Sequence, residues 1–507
     1  MSNTLATDRL VLGLDMGTQS LRAALVDLKG RTVAYGVEPI ETTYPRPAWA
    51  EQSPQQWWAA TKSAIAKALD KSGASPKQIA AIGLDCTACT VLACDLEGNP
   101  LRPAILWMDQ RSYREADAIS ATNDPILRYV SGRVSPEWML PKALWLKNNE
   151  PENYRKAERI VECTNWMMYR LTGRWTLSLN HVAVKWNYAR PDGGWPLAMM
   201  AKVGLDDLPS KWPAEIVPLG KGDDKLSAGA AAELGLEPGT PVAQGGIDAY
   251  LGMLGLGATN DGDVAAIVGS STCHLAQCKD GVFGSGAAGC YPDATVEGLY
   301  TIEAGQTATG SILDWYRRHF AAREQAEADN RGVNVYSVLD EEAAKVPPGA
   351  DGLVVRDDFQ GNRSPYKNPQ ARGAIAGLSL AHGPGHIFRA LYEATACGTR
   401  HILEDASKHG LKVQRIFLGG GGAKSPLWLQ IHADILKQPV HLTRESESCA
   451  LGSAMIAAIA AGDFANLDEA AQAMVAIEKT VDPNPANASA YDELFAKYVD
   501  LYKRLNA

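Results

Sequence analysis

Three runs near the N-terminal end alternate apolar with small or polar residues: LVLGLD, LRAALVDLKG and RTVAYGVEP. MGTQS separates the first two, and the Lys29–Gly30 turn the last two. Alternation with β-branched content predicts strand, turn, strand and a third strand. SPQQWWAATKSAIAKALDKSG then switches to helical spacing, with Ser53 at the cap, Pro54 at the first helical position and Gly73 closing it. QIAAIGLD returns as a wholly apolar strand. Strands alternating with helices imply an α/β fold. The second half restarts the pattern: DVAAIVGSSTCHLAQC, from Asp263, is strand, Gly/Ser/Thr turn, strand. Helical patterns follow in GQTATGSILDWYRRHF, GPGHIFRALYEATACGTRHILEDASKHG, AKSPLWLQIHADIL and ESCALGSAMIAAIAAG. The repeated opening predicts two related α/β domains, 1–253 and 254–507. Gly252, Gly255 and Gly257 at the junction suit either a hinge or close helix packing. The polar, Pro/Gly-broken stretch that starts at Ala322 is expected to be a peripheral helical excursion.

Composition narrows the partners. The 507 residues exceed one ordinary core, and 46% hydrophobic with 21% charged residues is ordinary for a globular protein. A net charge of −9 disfavours nucleic acid, because no basic surplus exists to displace counterions. A small anionic cofactor needs only local donors. Asp8 and Arg9 precede a first apolar run only one strand long, so no leader is expected. Cys449 to Gly462, the longest small-apolar stretch, is too short for a bilayer and predicts a buried helix. The nine cysteines are scattered through apolar segments, which fits reduced thiols in the cytoplasm. Cys86, Cys89 and Cys94 lack a second cluster at ligand spacing, so zinc is set aside.

Three turns are candidate anion cradles. In DMGTQS, Asp15 to Ser20, backbone N–H groups and hydroxyls crowd together and can bind an anion without net charge. Asp15 can hold a hydrated Mg²⁺ there. The bland reading is a plain hairpin with Gly17 supplying positive φ. GSSTC, from Gly269, is a second such turn, and two of them across a cleft would grip one triphosphate. GGGGAKSP, from Gly419, runs from a strand into a helix, where bare backbone admits an adenosine or simply packs tightly. Neither a Walker motif nor an early GxGxxG is present. Asp109 and Arg111, with Trp107, form either a polyol site or an ion pair beside a core tryptophan; Trp138 and Trp166 fit a core. Asn362 and Arg363, in DDFQGNRSP, can reach a ligand or cap neighbouring elements. Asp248, a lone acid behind two glycines in GGIDAYLGMLG, is a helix cap or a catalytic carboxylate.

Together these motifs resemble the FGGY family of carbohydrate kinases across essentially the whole chain. The matching stretches are GLDMGTQSLRAALVD, VGSSTC, GGGGAKSPLWLQIHADIL and GAIAGLSLAHGPGHIFRALYE, the last with Gly373, Gly377, His386, Ala390 and Glu393 in place. The resemblance implies two ribonuclease-H-like domains, of the actin, Hsp70 and hexokinase superfamily, with an interdomain cleft. It implies Asp248 as catalytic base, Asp15 as the Mg²⁺ site, and Gly17, Thr18, Gln19, Gly269 and Ser270 on the ATP phosphates. Gly310, Gly420, Gly421 and Ser425 would lie near the nucleotide; Ala88, Cys89, Asp109 and Asp248 would line the sugar. GGIDAY, TACT and FQGNRSP are similar to ribulokinase segments, with Tyr250 where His is usual and Ser425 where many relatives have Asn. The expectation is ATP-dependent phosphorylation of a pentulose at C5, D-ribulose first, with L-ribulose, D-xylulose and ribitol as alternatives. A homodimer is the assembly considered. Different-class readings are an Hsp70- or actin-like ATP switch and a degenerate sugar-binding regulator.

Overall fold

The computed structural model describes residues 9–506, apart from the side chain of Ala423; Asp8, whose charge argued against a leader, lies outside the described residues. The chain forms two compact units, and compactness does not follow a single cut after residue 253. The first runs to Thr259 and takes back Tyr291–Thr301 and Glu447–Ala476; the second holds Asn260–Cys290, Ile302–Ser446 and the segment from Ile477.

The first unit is built on a five-stranded sheet ordered Gly246–Ile247, Ile79–Cys86, Leu10–Met16, Ser20–Asp27, Thr32–Pro39. The first hairpin is antiparallel, as the alternation predicts, while Ile79–Cys86 runs parallel to Leu10–Met16 and to Gly246–Ile247. Leu10–Met16 is buried on both faces. Its even-numbered side chains, Leu10, Leu12 and Leu14, join a core with Trp57, Ala64 and Ile65 of the helix Pro54–Ser72. Val11 joins the opposite core with Ala450, Ala454 and Ala457 of the helix Ser448–Ala460. The period of two thus feeds both layers of a helix–sheet–helix sandwich. Ser53 stands at the first helix's N-cap but makes no cap bond; its hydroxyl donates to Gln55 instead. Gly73 closes that helix at φ 67°, as expected.

Ser448–Ala460 is apolar all round because it is buried all round. Glycines let it sit close to its neighbours. A Cβ on Gly13 would come 2.3 Å from Ala450 O, one on Gly83 2.0 Å from Ser453 O, and one on Gly255 1.9 Å from Ser448 O. At Gly255, then, close helix packing is what the structure shows. Trp138 and Trp166 are buried, as expected of core tryptophans.

The second unit repeats the order. Its sheet contains Tyr300–Gln306, Thr272–Cys278, Asp263–Val268, Arg415–Gly420 and Val440–Thr443 as consecutive neighbours. Asp263–Val268 is antiparallel to Thr272–Cys278 and parallel to Arg415–Gly420. Each unit therefore carries the spatial order third, second, first, fourth, fifth. GQTATGSILDWYRRHF is not all helix: Gly305 and Gln306 finish a strand, and the helix is Gly310–Phe320. The stretch from Ala322 forms two helices, Ala322–Arg331 and Val335–Ala344. No helix among the described residues is long and apolar enough to cross a membrane.

Candidate active site

In the first unit three carboxyl groups gather at the carboxyl ends of parallel strands. Asp15 and Asp85 are register partners on neighbouring strands, and Asp248 opens the helix that follows the third strand. Such strand ends are where open α/β sheets bind ligands. Asp85 is fully buried and accepts from Ser453 Oγ at 2.7 Å. Its other oxygen has no hydrogen-bond partner among the described residues. Burial first, and the charges of Asp15 and Asp248 next, hold the Asp85 carboxyl well above its usual range. Burial also raises Asp15, against the guanidinium of Arg22, its cross-strand partner at 3.4 Å.

Asp248 remains partly exposed. Its Oδ1 accepts from the Ala249 amide at 2.7 Å, so the capping role is real. A helix start favours the anion, but burial wins and pushes the group up to about 6; Asp15 adds to the rise while Lys185 and His181 oppose it. A carboxylate at this pKa is a stronger base than an ordinary one. Among the described residues no three acidic, His or Cys side chains converge to cage a bare metal ion. Mg²⁺ does not need such a cage, because it keeps several waters and takes one or two carboxylates. A hard-oxygen cluster with an oxygen lacking a donor fits such a cation.

The turn after Asp15 uses the Gly17 amide internally, on Ser20 O at 3.1 Å, so that amide does not face a phosphate. Gly17 does not have positive φ either. Its missing side chain leaves space: a Cβ would meet nothing nearer than 3.6 Å. Thr18 and Gln19 amides have no acceptor among the described residues and stay available. Trp107, exposed at 36%, is no apolar wall alone, since its indole N–H donates to Thr18 Oγ1 at 2.9 Å.

On the prospective sugar side, the geometry gives Asp109 a different task. It is fully buried and accepts from the Ala50 amide and from the amide, Nε and Nη2 of Arg111. Arg111 lies against Trp49 and Trp145, which meet edge to face, and is paired with Glu51. No lone pair of Asp109 is left for a polyol. Cys89 is 1% exposed, so its side chain lines nothing open, whereas Ala88 is partly exposed.

In the second unit Gly269 and Ser270 are exposed. The Gly269 amide closes its own turn on Ser271 O at 2.8 Å, again leaving the following amides as the free donors. The carbonyls of Gly269 and Ser270 take the amides of Thr309, Gly310 and Ser311, docking the turn on the helix Gly310–Phe320. Gly310 is glycine for packing, its Cβ position being 2.4 Å from Gly269 O. Gly420 has φ 91° and would collide with Val268 O at 2.2 Å, and Gly422 with the Trp428 ring at 1.9 Å. Gly421, by contrast, faces open space, its nearest neighbour being Val268 O at 4.0 Å. A cradle that only a side chain would fill fits a nucleotide at Gly269 and Gly421. Ser425 Oγ caps the next helix through the Trp428 amide at 3.1 Å. Asn362 ties Asp358 to the Tyr366 amide, a capping role, while Arg363 is exposed.

Reading from sequence missed Arg22, Asp85 and Lys185. Arg22 was visible as the first charge after the predicted turn, and Asp85 as the acid ending an apolar strand. The role of Lys185 depends on distant chain segments meeting, which no local pattern reports. Of the signature residues, Gly377 has φ 89° and packs against Gly352, while His386 and Glu393 serve the helix Pro384–Lys408: His386 Nδ1 accepts from the Gly383 amide, and Glu393 binds Arg389 and the Gly349 amide.

Comparison with known proteins agrees with this geometry. Residues 10–255 match the N-terminal domain, and 264–461 the C-terminal domain, of the FGGY family of carbohydrate kinases. A ribulokinase of Geobacillus thermodenitrificans is 32% identical, with 97% of this chain and 94% of that protein covered. An FGGY carbohydrate kinase domain-containing protein of Xenopus laevis is 34% identical over 97% and 96%. The crystal structure of a xylulose kinase from Rhodospirillum rubrum superposes with a TM-score of 0.88 at 31% identity, covering 98% and 99%. The chain belongs to the FGGY family of carbohydrate kinases, two-domain phosphotransferases of the actin and hexokinase type that use ATP.

Proposed function

We propose that this kinase transfers the γ-phosphoryl group of ATP to the C5 hydroxyl of a pentulose, D-ribulose in first place. The observation that carries the reading is the accessible Asp248 carboxylate beside Asp15 and Asp85, raised to about 6. Asp248 orients the acceptor hydroxyl and takes its proton late, which a loose phosphoryl-transfer transition state permits. Asp15 holds the hydrated Mg²⁺, with Arg22 beside it. When bound, Mg²⁺ neutralises charge developing on the transferred phosphoryl group and the leaving phosphate. The amides of Thr18 and Gln19 and the hydroxyl of Ser270 donate to phosphate oxygens. Gly421 leaves room for the nucleoside. The 32% identity to a ribulokinase and the GGIDAY, TACT and FQGNRSP segments support the ribulose choice. Nine free thiols support a reducing, cytoplasmic setting.

D-xylulose is the second reading, favoured by the structural likeness to a xylulose kinase. Purified protein assayed for ADP release over pentuloses and pentitols separates the two. D-ribulose should show the highest kcat/KM, and a better D-xylulose, L-ribulose or ribitol would replace it. Sugar-independent ATP turnover would revive the switch reading.

A further inference from the structure

Cys89 holds φ 58° in the middle of the TACT turn, although L-residues other than Asn and Asp avoid that region. Strain of this kind persists only where the surroundings enforce it, and it clusters at functional sites. Here two buried charges grip the residue from both sides. The Cys89 amide donates to Glu162 Oε2 at 2.7 Å. The Cys89 carbonyl accepts from Lys142 Nζ at 2.6 Å. Both charged side chains are essentially inaccessible, at 0% for Lys142 and 1% for Glu162. Burial draws the Lys142 ammonium down to about 8, so it is still charged at neutral pH.

Each charge also reaches a second segment. Lys142 Nζ donates to Leu106 O at 2.6 Å, next to Trp107. Glu162 accepts from His181 Nδ1 at 2.8 Å and Trp186 Nε1 at 2.5 Å, one on and one just beyond the short helix Leu179–Lys185. Lys185, which faces Asp248 electrostatically, ends that helix. The turn itself is tied to the strand of Asp15, the Thr87 amide donating to Met16 O at 3.1 Å. Burying two charges costs solvation, which is seldom spent on stability alone.

We infer that Lys142 and Glu162 form a clamp across the Cys89 peptide, whose task is to hold the Thr87–Thr90 turn in the left-handed form that receives the sugar. They are positioning residues; neither is assigned contact with substrate. The inference rests on the kinase reading for the sugar, but not for the clamp itself.

The test compares Lys142→Met, Glu162→Gln and Lys142→Met/Cys89→Gly with the unaltered protein. Lys142→Met orphans the Cys89 carbonyl, so the sugar KM should rise about tenfold. The ATP KM should stay put, with kcat within about threefold. Deuterium exchange at the amides of 87–91 should quicken about tenfold, reporting a locally opened turn. Glycine adopts positive φ without a clamp, so adding Cys89→Gly should return most of the lost sugar affinity and slow the exchange again. Glu162→Gln should show the same pattern more weakly. An unchanged sugar KM, an equal rise in the ATP KM, or no rescue by glycine overturns the clamp. So does failure of both single variants to fold, since the pair would then serve the core. If the unaltered protein turns over no sugar, the functional reading falls, and the exchange measurements alone decide the clamp.

Discussion

The two sheets share one strand order but end in opposite chemistry. In the first unit the register pair at the carboxyl ends of the parallel central strands is Asp15 with Asp85. In the second, the corresponding pair is Val268 with Gly420, followed by the Gly269–Ser270 turn. The acidic end has an excess of negative charge, and burial keeps its carboxyls protonated or partnered. The bare end offers amides, hydroxyls and space where glycines lack side chains. Topology supplies the same platform twice, and a few residues at the strand ends decide whether it presents clustered carboxyls or bare amides and open space. Fold likeness alone therefore does not assign roles.

The strongest way to break this division is Asp248→Asn. It keeps the shape and the Ala249 contact but removes the proton acceptor. Turnover should fall by about 10²–10⁴ while ATP and sugar still bind, measured by coupled ADP release and calorimetry. Near-normal kcat would remove Asp248 from the chemistry. Next in size is the acid limb of the pH profile. If the carboxylate form carries the chemistry, kcat/KM should be level above about pH 7, half its plateau near pH 6, and fall about tenfold per unit below about pH 5. A limb centred near 4 would mean that burial does not raise the group in solution.

The glycines of the second unit sharpen the comparison at intermediate size. Gly421→Val places a side chain in open space, so it should raise the ATP KM about tenfold and leave the melting temperature nearly unchanged. Gly422→Ala drives a methyl group to 1.9 Å from the Trp428 ring, so it should cost about 1–3 kcal/mol of stability instead. Thermal melts and ATP titrations read the two effects separately. If both variants behave alike, the cradle and the packing role are not distinct.

Much of the fold was legible because the sheets follow period two and the helices carry clear caps, as with Leu10–Met16 and Gly73. The repeat was legible from one strand-turn-strand echo. What stayed hidden came from long-range meeting. Asp109 looked like a ligand group because its saturation by Ala50 and Arg111 is invisible along the chain. Gly310 and Gly420 looked like nucleotide contacts, but backbone crowding explains them. The amides of Gly17 and Gly269 were assigned to phosphate before the turns that consume them were visible. Asp248 was legible in position but not in pKa, because its desolvation depends on the neighbours around it.

The smallest effect concerns left-handed backbone, which each unit reaches at glycines and at other residues alike. The second places Gly420 at φ 91°, while the first places Ala48 at φ 64° in the TYPRPAW loop. Ala48 is exposed, and its carbonyl accepts from the Gln110 amide at 2.9 Å, which holds the loop in this conformation. A left-handed alanine costs about 1–2 kcal/mol. Glycine removes that strain but adds about 0.4–1 kcal/mol of unfolded-state freedom. Ala48→Gly should therefore stabilise the first unit by about 0.5–1 kcal/mol, a rise of about 1–4 °C in its melting transition. Asn123 at φ 50° is the control, because asparagine tolerates that region and Asn123→Gly gains nothing. A destabilised Ala48→Gly would mean that the Gln110 contact alone does not hold the loop, and that its entropy outweighs the strain.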